Sequence, residues 1–448
     1  MILRKHGHVL REWGPLLHEQ YSIINLKIYL CYFSRIFCLI YGVVIMHINF
    51  NAMNEKHHRL FKRSFNSYKK FSFILICLII SSCKKETSNG QANGTIDSLP
   101  LIFAHFWDKM NNQYVYWDKE TTDWNLIYKK YKPLFDQLNN TEEDKRKAML
   151  YFKQMTSNLI DNHFSITFQE PPLIGTVITP SLDRKINAEN YHSRYNYVNI
   201  VKSYLDNGFI SGKGNVSNYG ELISATTGTI NYDILYFQCN FFALKQSYNS
   251  TVDNSIKKIL NSFFSQLKRT SNPVRGIIID LRNNMGGNME DLNFLAGKLV
   301  GKDIVFGYSR SKNGMGKLDY LPWLESRLKY DPEYPRQTPV MILGDSFSAS
   351  LSEIMILALK SKDNLFIGEQ TYGATGPLSD PDIFNSGSFD VGTFLSVKTS
   401  SSEFKDVNGT FYEGTGITPD IVSFFNIKEL SAGKDSQLEI AINQIYKK

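Results

Sequence analysis

The chain has 448 residues, 42% of them hydrophobic and 13% aromatic, with a formal net charge of +7 at pH 7. That length allows one large domain or two with a sizeable core. The excess charge is local: through Cys83 there are 11 Lys/Arg against 3 Asp/Glu, leaving 39 against 40 beyond it, so the basic balance does not mark a nucleic-acid-binding protein.

From Met53 the chain carries Lys56, Arg59, Lys62, Arg63, Lys69 and Lys70, then the apolar run Phe71 to Ile80, then Ser81-Ser82-Cys83. A basic start, a short apolar run and small residues are the form of a signal peptide, and the run falls short of the ~20 residues of a membrane span. Ile80-Ser81-Ser82-Cys83 resembles a bacterial lipobox, which implies a lipid on Cys83 and an exported body anchored to a bacterial membrane, at its outer-membrane or periplasmic face or at the cell surface. An uncleaved anchor helix is the alternative. Residues 1–52 precede this signal and are expected to be an over-extended reading frame, although Leu30 to Phe50, interrupted by Arg35, could be a first membrane helix. After Cys83 only Cys239 remains, so the body has no intramolecular disulfide.

Residues 84–98 read as a polar linker. Residues 99–168 have helical periodicity, through Phe103, Phe106, Trp107 and Met110 to Phe152 and Met155, and are expected to form a helical N-terminal domain ending at Asp161-Asn162-His163-Phe164. Residues 169–225 are polar and rich in Tyr and Asn, expected as a β-rich insertion or a loop region. Residues 226–448 alternate strand and helix patterns. Ile230 to Phe237 reads as a strand, Ile256 to Leu267 as an amphipathic helix, Gly276 to Leu281, Val340 to Leu343 and Leu365 to Ile367 as buried strands, and Ile354 to Leu359 as a helix. The fold class is therefore α/β, with a mostly parallel sheet.

Three stretches bear on chemistry. Val340 to Glu353 runs from a buried strand through Gly344-Asp345-Ser346-Phe347-Ser348-Ala349-Ser350 into a helix, a turn that can present a serine hydroxyl beside free helix N–H groups, or simply cap the helix. Asp280-Leu281-Arg282-Asn283-Asn284-Met285-Gly286-Gly287-Asn288 follows another buried strand. Its paired glycines suit either a tight turn or backbone N–H groups brought close to an oxyanion. His163 sits at the helix-to-strand junction, while His105 lies on an aromatic helix and His192 in the polar stretch. A lone histidine there is either structural or a base. There is no His-Glu-x-x-His or Cys-x-x-Cys pair, so the sequence offers no metal site and implies no cofactor.

The order of His163, the Asp280 to Gly287 stretch, Ser350 to Glu353, Gly368-Glu369-Gln370-Thr371-Tyr372-Gly373 and Tyr412-Glu413-Gly414-Thr415-Gly416 resembles the S41 serine peptidases, which include C-terminal processing and tricorn-type enzymes. The resemblance implies a catalytic core of the ClpP/crotonase-like type over residues 226–448. It makes Ser350 the nucleophile, three residues before Glu353, and gives Ser348 and Ser352 structural roles. Processing proteases pair the serine with a lysine whose position here is Ala374. The tricorn-type pattern instead implies His163 as base and Glu413 as the residue orienting it, with Gly286, Gly287 and Leu351 as oxyanion donors. A surface carboxylate beside a Gly-rich turn is the other reading of Glu413, and how Asn162 bears on the base is left open.

The resemblance thus implies an exported serine-type endopeptidase acting on peptides or unfolded protein, bound as an added strand along a sheet edge. Residues 169–225 are too short and polar for a complete PDZ module, and oligomeric state is not legible. Two rivals remain: a non-catalytic protein of the same fold carrying a lipophilic ligand or peptide, and an α/β-hydrolase-type esterase. The second requires a histidine after the serine, and none follows Ser350.

Overall fold

Each of the first three helices has a local reason to start. The computed structural model describes residues 98–217, 220–313, 316–335, 338–378 and 387–448. Helix α1 (Leu99–Gln113) has Pro100 in its first turn, where a missing N–H breaks no intrahelical bond. Helix α2 (Trp124–Phe135) is capped by the Asp123 carboxylate, which accepts the N–H groups of Asn125 and Leu126. Helix α3 (Glu142–Thr156) is capped by Thr141 and carries Glu142, Glu143 and Asp144 against its positive end.

The chain continues through β1 (Ser165–Phe168), β2 (Val177–Ile178), α4 (Pro180–Ile186), α5 (Val198–Val201), β3 (Ile210–Val216), β4 (Leu222–Ile230), β5 (Ile234–Cys239), α6 (Leu244–Asn249), α7 (Ser255–Leu267) and β6 (Gly276–Asp280). A π-helical turn, Leu292–Ala296, leads to β7 (Ile304–Ser311), β8 (Leu324–Leu328), β9 (Val340–Gly344), α8 (Leu351–Leu359), β10 (Leu365–Gly368), β11 (Phe389–Val391) and β12 (Leu395–Lys398). Then come β13 (Ser402–Asp406), β14 (Ile421–Val422), α9 (Ile427–Ser431) and α10 (Ser436–Tyr446).

Seven strands form the main sheet in the order β14-β10-β9-β6-β5-β4-β3. The pairs from β14 to β5 are parallel, and β4 and β3 extend the edge antiparallel. Successive side chains take opposite faces. Leu235, Phe237, Ile277, Ile279 and Ile342 pack with Ile259 and Phe263 of α7 and Ile354 of α8, whereas Tyr236, Ile278, Met341 and Leu343 pack with Leu438, Ala441 and Ile445 of α10. Burial on both faces explains why these strands read as continuous apolar runs.

A second core lies under α1–α3. Phe103, Phe106, Phe135 and Phe152 pack there with Phe164, Ile166 and Phe168 of the β1 region, and also with Phe389, Phe394, Leu395 and Val397 from far along the chain. The strands behind this are a four-stranded sheet, β11-β12-β1-β2, in which Ile166 pairs with Val397. The helical layer is thus completed by residues outside 99–168.

Two readings need correction. The strand expected over Ile230 to Phe237 is broken at Asn231 and Tyr232, whose φ values of 50° and 62° turn the chain from β4 into β5. Residues 169–225 form no separate β-rich unit: they hold the short helices α4 and α5, and β3 adds to the main sheet. The segments 1–52, 53–83 and most of 84–98, Cys83 included, lie outside the described residues.

Arg282, directly after β6, ties the sheet to α10. Its fully buried guanidinium donates to Asp280 (2.6 and 3.0 Å), to both oxygens of Asp435 (2.9 Å each) and to Gln437 (3.1 Å). Asp435 also caps α10 by accepting the Leu438 N–H. Arg282→Ala leaves two buried carboxylates unpaired and is expected to destabilise the fold by about 3–5 kcal/mol, measurable by urea unfolding.

Candidate active site

The turn after β9 is held open by backbone strain and side-chain bonds. Ser350 has φ 56° and ψ −122°, a conformation a non-glycine residue adopts only where its surroundings impose it. It caps α8, and its N–H donates to Glu353 Oε2 at 3.0 Å. Glu353 is fully buried and also accepts from Thr371 Oγ1 (2.5 Å), Gly373 N (2.7 Å) and Ala374 N (2.7 Å).

The three serines of the turn differ in their commitments. Ser348 Oγ donates to Leu281 O at 2.8 Å, and Ser352 Oγ donates to Asn284 O at 2.9 Å. Both are buried and spent on holding the turn to the segment after β6. The half-buried Ser350 hydroxyl bonds to no described residue outside its own helix.

The Gly-Gly turn is pressed against that hydroxyl. A Cβ on Gly286 would lie 2.7 Å from Ser350 Cβ and 2.8 Å from Leu351 N, which is why a glycine is required there. The N–H of Gly286 is already given to Asn284 Oδ1 at 2.8 Å. Its carbonyl accepts Phe242 N, and Asn288 N donates to Phe242 O. Among the described residues the N–H groups of Gly287 and Leu351 have no acceptor. Both are available as donors, whereas Gly286 contributes clearance.

His163 lies in a second cluster. Its N–H donates to Asp161 Oδ1 at 2.8 Å. Ser400 Oγ donates to the same Asp161 oxygen at 3.0 Å and lies 3.5 Å from His163 Nδ1. With its proton directed at Asp161, Ser400 can only accept from the ring, which favours the Nδ1–H tautomer and leaves Nε2 as a free acceptor. Burial lowers the His163 pKa below its usual value, as does Lys398, against the pull of Asp161.

Glu413 does not bond to the imidazole. Its oxygens accept Asn162 N (2.9 Å), Gly376 N (2.8 Å) and Tyr116 Oη (3.0 Å), and Thr375 Oγ1 stands at 3.3 Å. Burial and the nearby Asp161 push its pKa well up. Asp161, His163 and Glu413 offer ligand-type atoms within 4.8 Å of one another. Every carboxylate oxygen of the cluster already accepts N–H or O–H donors, Asp161 Oδ2 from Thr399 and Ser400 N. The set is organised as a hydrogen-bond network around the histidine.

The stretch 371–376 links the two clusters, with Gly373 and Ala374 on Glu353 and Gly376 on Glu413. No hydrogen bond joins His163 to Ser350 among the described residues. Asp161 and Ser400 escape sequence reasoning; the only local signal is that Asp161 is an acidic residue beside the one junction histidine.

Residues 234–423 match the family model described as peptidase family S41. Over these residues the chain is similar to that family. It is 26% identical over 223 residues to the carboxy-terminal processing protease of Bacillus subtilis, an overlap covering 47% of this chain and 44% of that protein. The chain therefore spans less than half the length of this curated relative. A solved structure from Parabacteroides merdae, assigned as a peptidase, shares its fold with TM-score 0.59 at 20% identity, over 78% of this chain and 97% of the other. Mature CPAF, solved with lactacystin, aligns with TM-score 0.51 at 11% identity, over 78% and 99%.

Because burial favours neutral His163, a reaction that uses it as base is expected to keep its rate below the ordinary histidine pKa of about 6.5. The pH dependence of that reaction should place the acid limb there.

Proposed function

We propose that this protein is a serine peptidase in which Ser350 is the nucleophile and His163 the base. What carries the reading is the contrast among three serines in one turn: Ser348 and Ser352 are bonded into the scaffold, and Ser350 alone keeps a strained backbone and a hydroxyl tied to no described residue outside its own helix, beside free N–H donors. His163 Nε2 takes the Ser350 proton through a bridging water or on closure around substrate, since proton transfer needs ~2.6–3.2 Å or one water. Ser350 Oγ attacks the scissile carbonyl, and Gly287 N and Leu351 N hold the oxyanion, each such donor being worth about 2.7–4 kcal/mol. The imidazolium then protonates the leaving amine, and water releases the acyl group by the reverse sequence. Ser400 faces the ring, and Asp161 holds both Ser400 and the His163 backbone N–H. Glu413 orients the base by gripping the backbone on either side, at Asn162 and Gly376.

Substrates are peptides or unfolded protein segments. Export and anchoring belong to the same proposal. Attachment is through a lipidated Cys83 in this reading; among the described residues no helix is long and apolar enough to cross a membrane.

Fluorophosphonate labelling of the purified body tests the site. Wild type, Ser348→Ala and Ser352→Ala should be labelled, Ser350→Ala should not, and His163→Ala should react about 10²–10⁴-fold more slowly. An unlabelled wild type that binds a lipophilic ligand tightly would instead support a carrier. For the anchor, mass spectrometry of the native N-terminus is expected to find a diacylated Cys83, and a mature chain beginning before Met53 would refute the leader.

A further inference from the structure

His163 and Ser350 belong to different cores, so something must set the distance between them. Helix α4 touches both sides. Toward the base, Ser181 Oγ donates to Asn162 O at 3.0 Å, and Arg184 donates to Asn162 Oδ1 (3.1 Å), Leu159 O (3.0 Å) and Ser157 O (2.6 Å). Toward the nucleophile, Lys185 Nζ donates to Ser346 O, four residues before Ser350. The same ammonium stands 4.7 Å from the Phe347 ring centre and 4.8 Å from that of Tyr372. Tyr372 is itself shared: its N–H donates to Ser348 O (2.9 Å), its carbonyl accepts Asn162 Nδ2 (2.9 Å), and its hydroxyl lies 3.0 Å from Ser181 Oγ.

We infer that helix α4 is the spacer between base and nucleophile, and that Lys185 is a positioning residue holding the Ser350 turn in register with His163. The inference rests on the proposed roles of those two residues. It gives a function to the polar stretch that contains α4, and it supplies the site with a lysine that works from a different element than the one Ala374 replaces. Lys185 acts on the turn's backbone and takes no proton from Ser350.

The groups facing the Lys185 ammonium define its titration. Asp345 follows β9, Glu353 lies on α8, Glu369 follows β10, and Arg194 comes from the chain beyond α4; burial, aided by Arg194, brings the lysine down to about 8 against the three carboxylates. As pH rises through that value, the charge over Phe347 and Tyr372 and the charge-assisted bond to Ser346 are lost. The labelling rate of Ser350 should therefore fall above about pH 8, the mirror image of the acid limb set by His163.

The test is the rate of fluorophosphonate labelling between pH 5 and 10 for wild type, Ser350→Ala, Lys185→Met and Lys185→Arg, with melting temperatures alongside. Lys185→Met should react roughly 10²-fold more slowly at neutral pH, the cost of a misplaced nucleophile, while still folded. Lys185→Arg, whose charge persists, should recover most of the rate and lose the alkaline limb. Should Lys185→Met not fold, the comparison of wild type with Lys185→Arg decides. A Lys185→Met protein labelled at the wild-type rate, or the same alkaline limb in wild type and Lys185→Arg, overturns the positioning role while Ser350→Ala still certifies the nucleophile. Equal labelling of wild type and Ser350→Ala overturns the nucleophile assignment and the spacer with it.

Discussion

One buried carboxylate organises this site. Glu353 receives the N–H of Ser350 and, from the opposite strand end, Thr371, Gly373 and Ala374. Burial pushes its pKa up while the four donors pull it down. A positive φ at a serine costs on the order of 1–3 kcal/mol, and charge-assisted bonds, about twice as strong as neutral ones, hold it in place. Glu353 thus fixes both the angle at which α8 presents its first residue and the path of the segment leading toward Glu413. Remove that clamp and neither cluster has a defined neighbour.

The division of labour follows the two cores. The sheet, covered on both faces, supplies the rigid strand ends from which the Gly-Gly turn and the Ser350 turn project, as ligand and reaction sites do in open α/β sheets. The aromatic core under α1–α3 supplies the junction that carries His163. The proposed acyl transfer draws one group from each.

Much of the sheet was legible because burial on both faces leaves uninterrupted apolar runs such as Gly276 to Leu281 and Val340 to Leu343. The helices were legible from their periodicity, as in Ile256 to Leu267. The four-stranded sheet was not: β1 has four residues, and its partner Leu395–Lys398 lies far along the chain, a pairing no local pattern encodes. Asn231 and Tyr232 misled for the opposite reason, since a tyrosine at positive φ is not a usual turn signal. At the site, the Ser350 turn and the glycines carry signatures in their own neighbourhoods. Asp161, Ser400 and Lys185 matter through partners distant in sequence, and each looks like an ordinary polar residue until the fold assembles them.

The pairing of β1 with β12 also dictates when the protein becomes competent. A chain made from its N-terminus has the Ser350 turn residues before it has Phe389 to Val397, which close the core beneath His163, or Thr399, Ser400 and Glu413, which surround that histidine. Until those residues arrive His163 has no pocket and Ser350 lacks its proposed base. On the proposed roles, the site would therefore be the last part of the fold to be completed, after the sheet that carries the Ser350 turn.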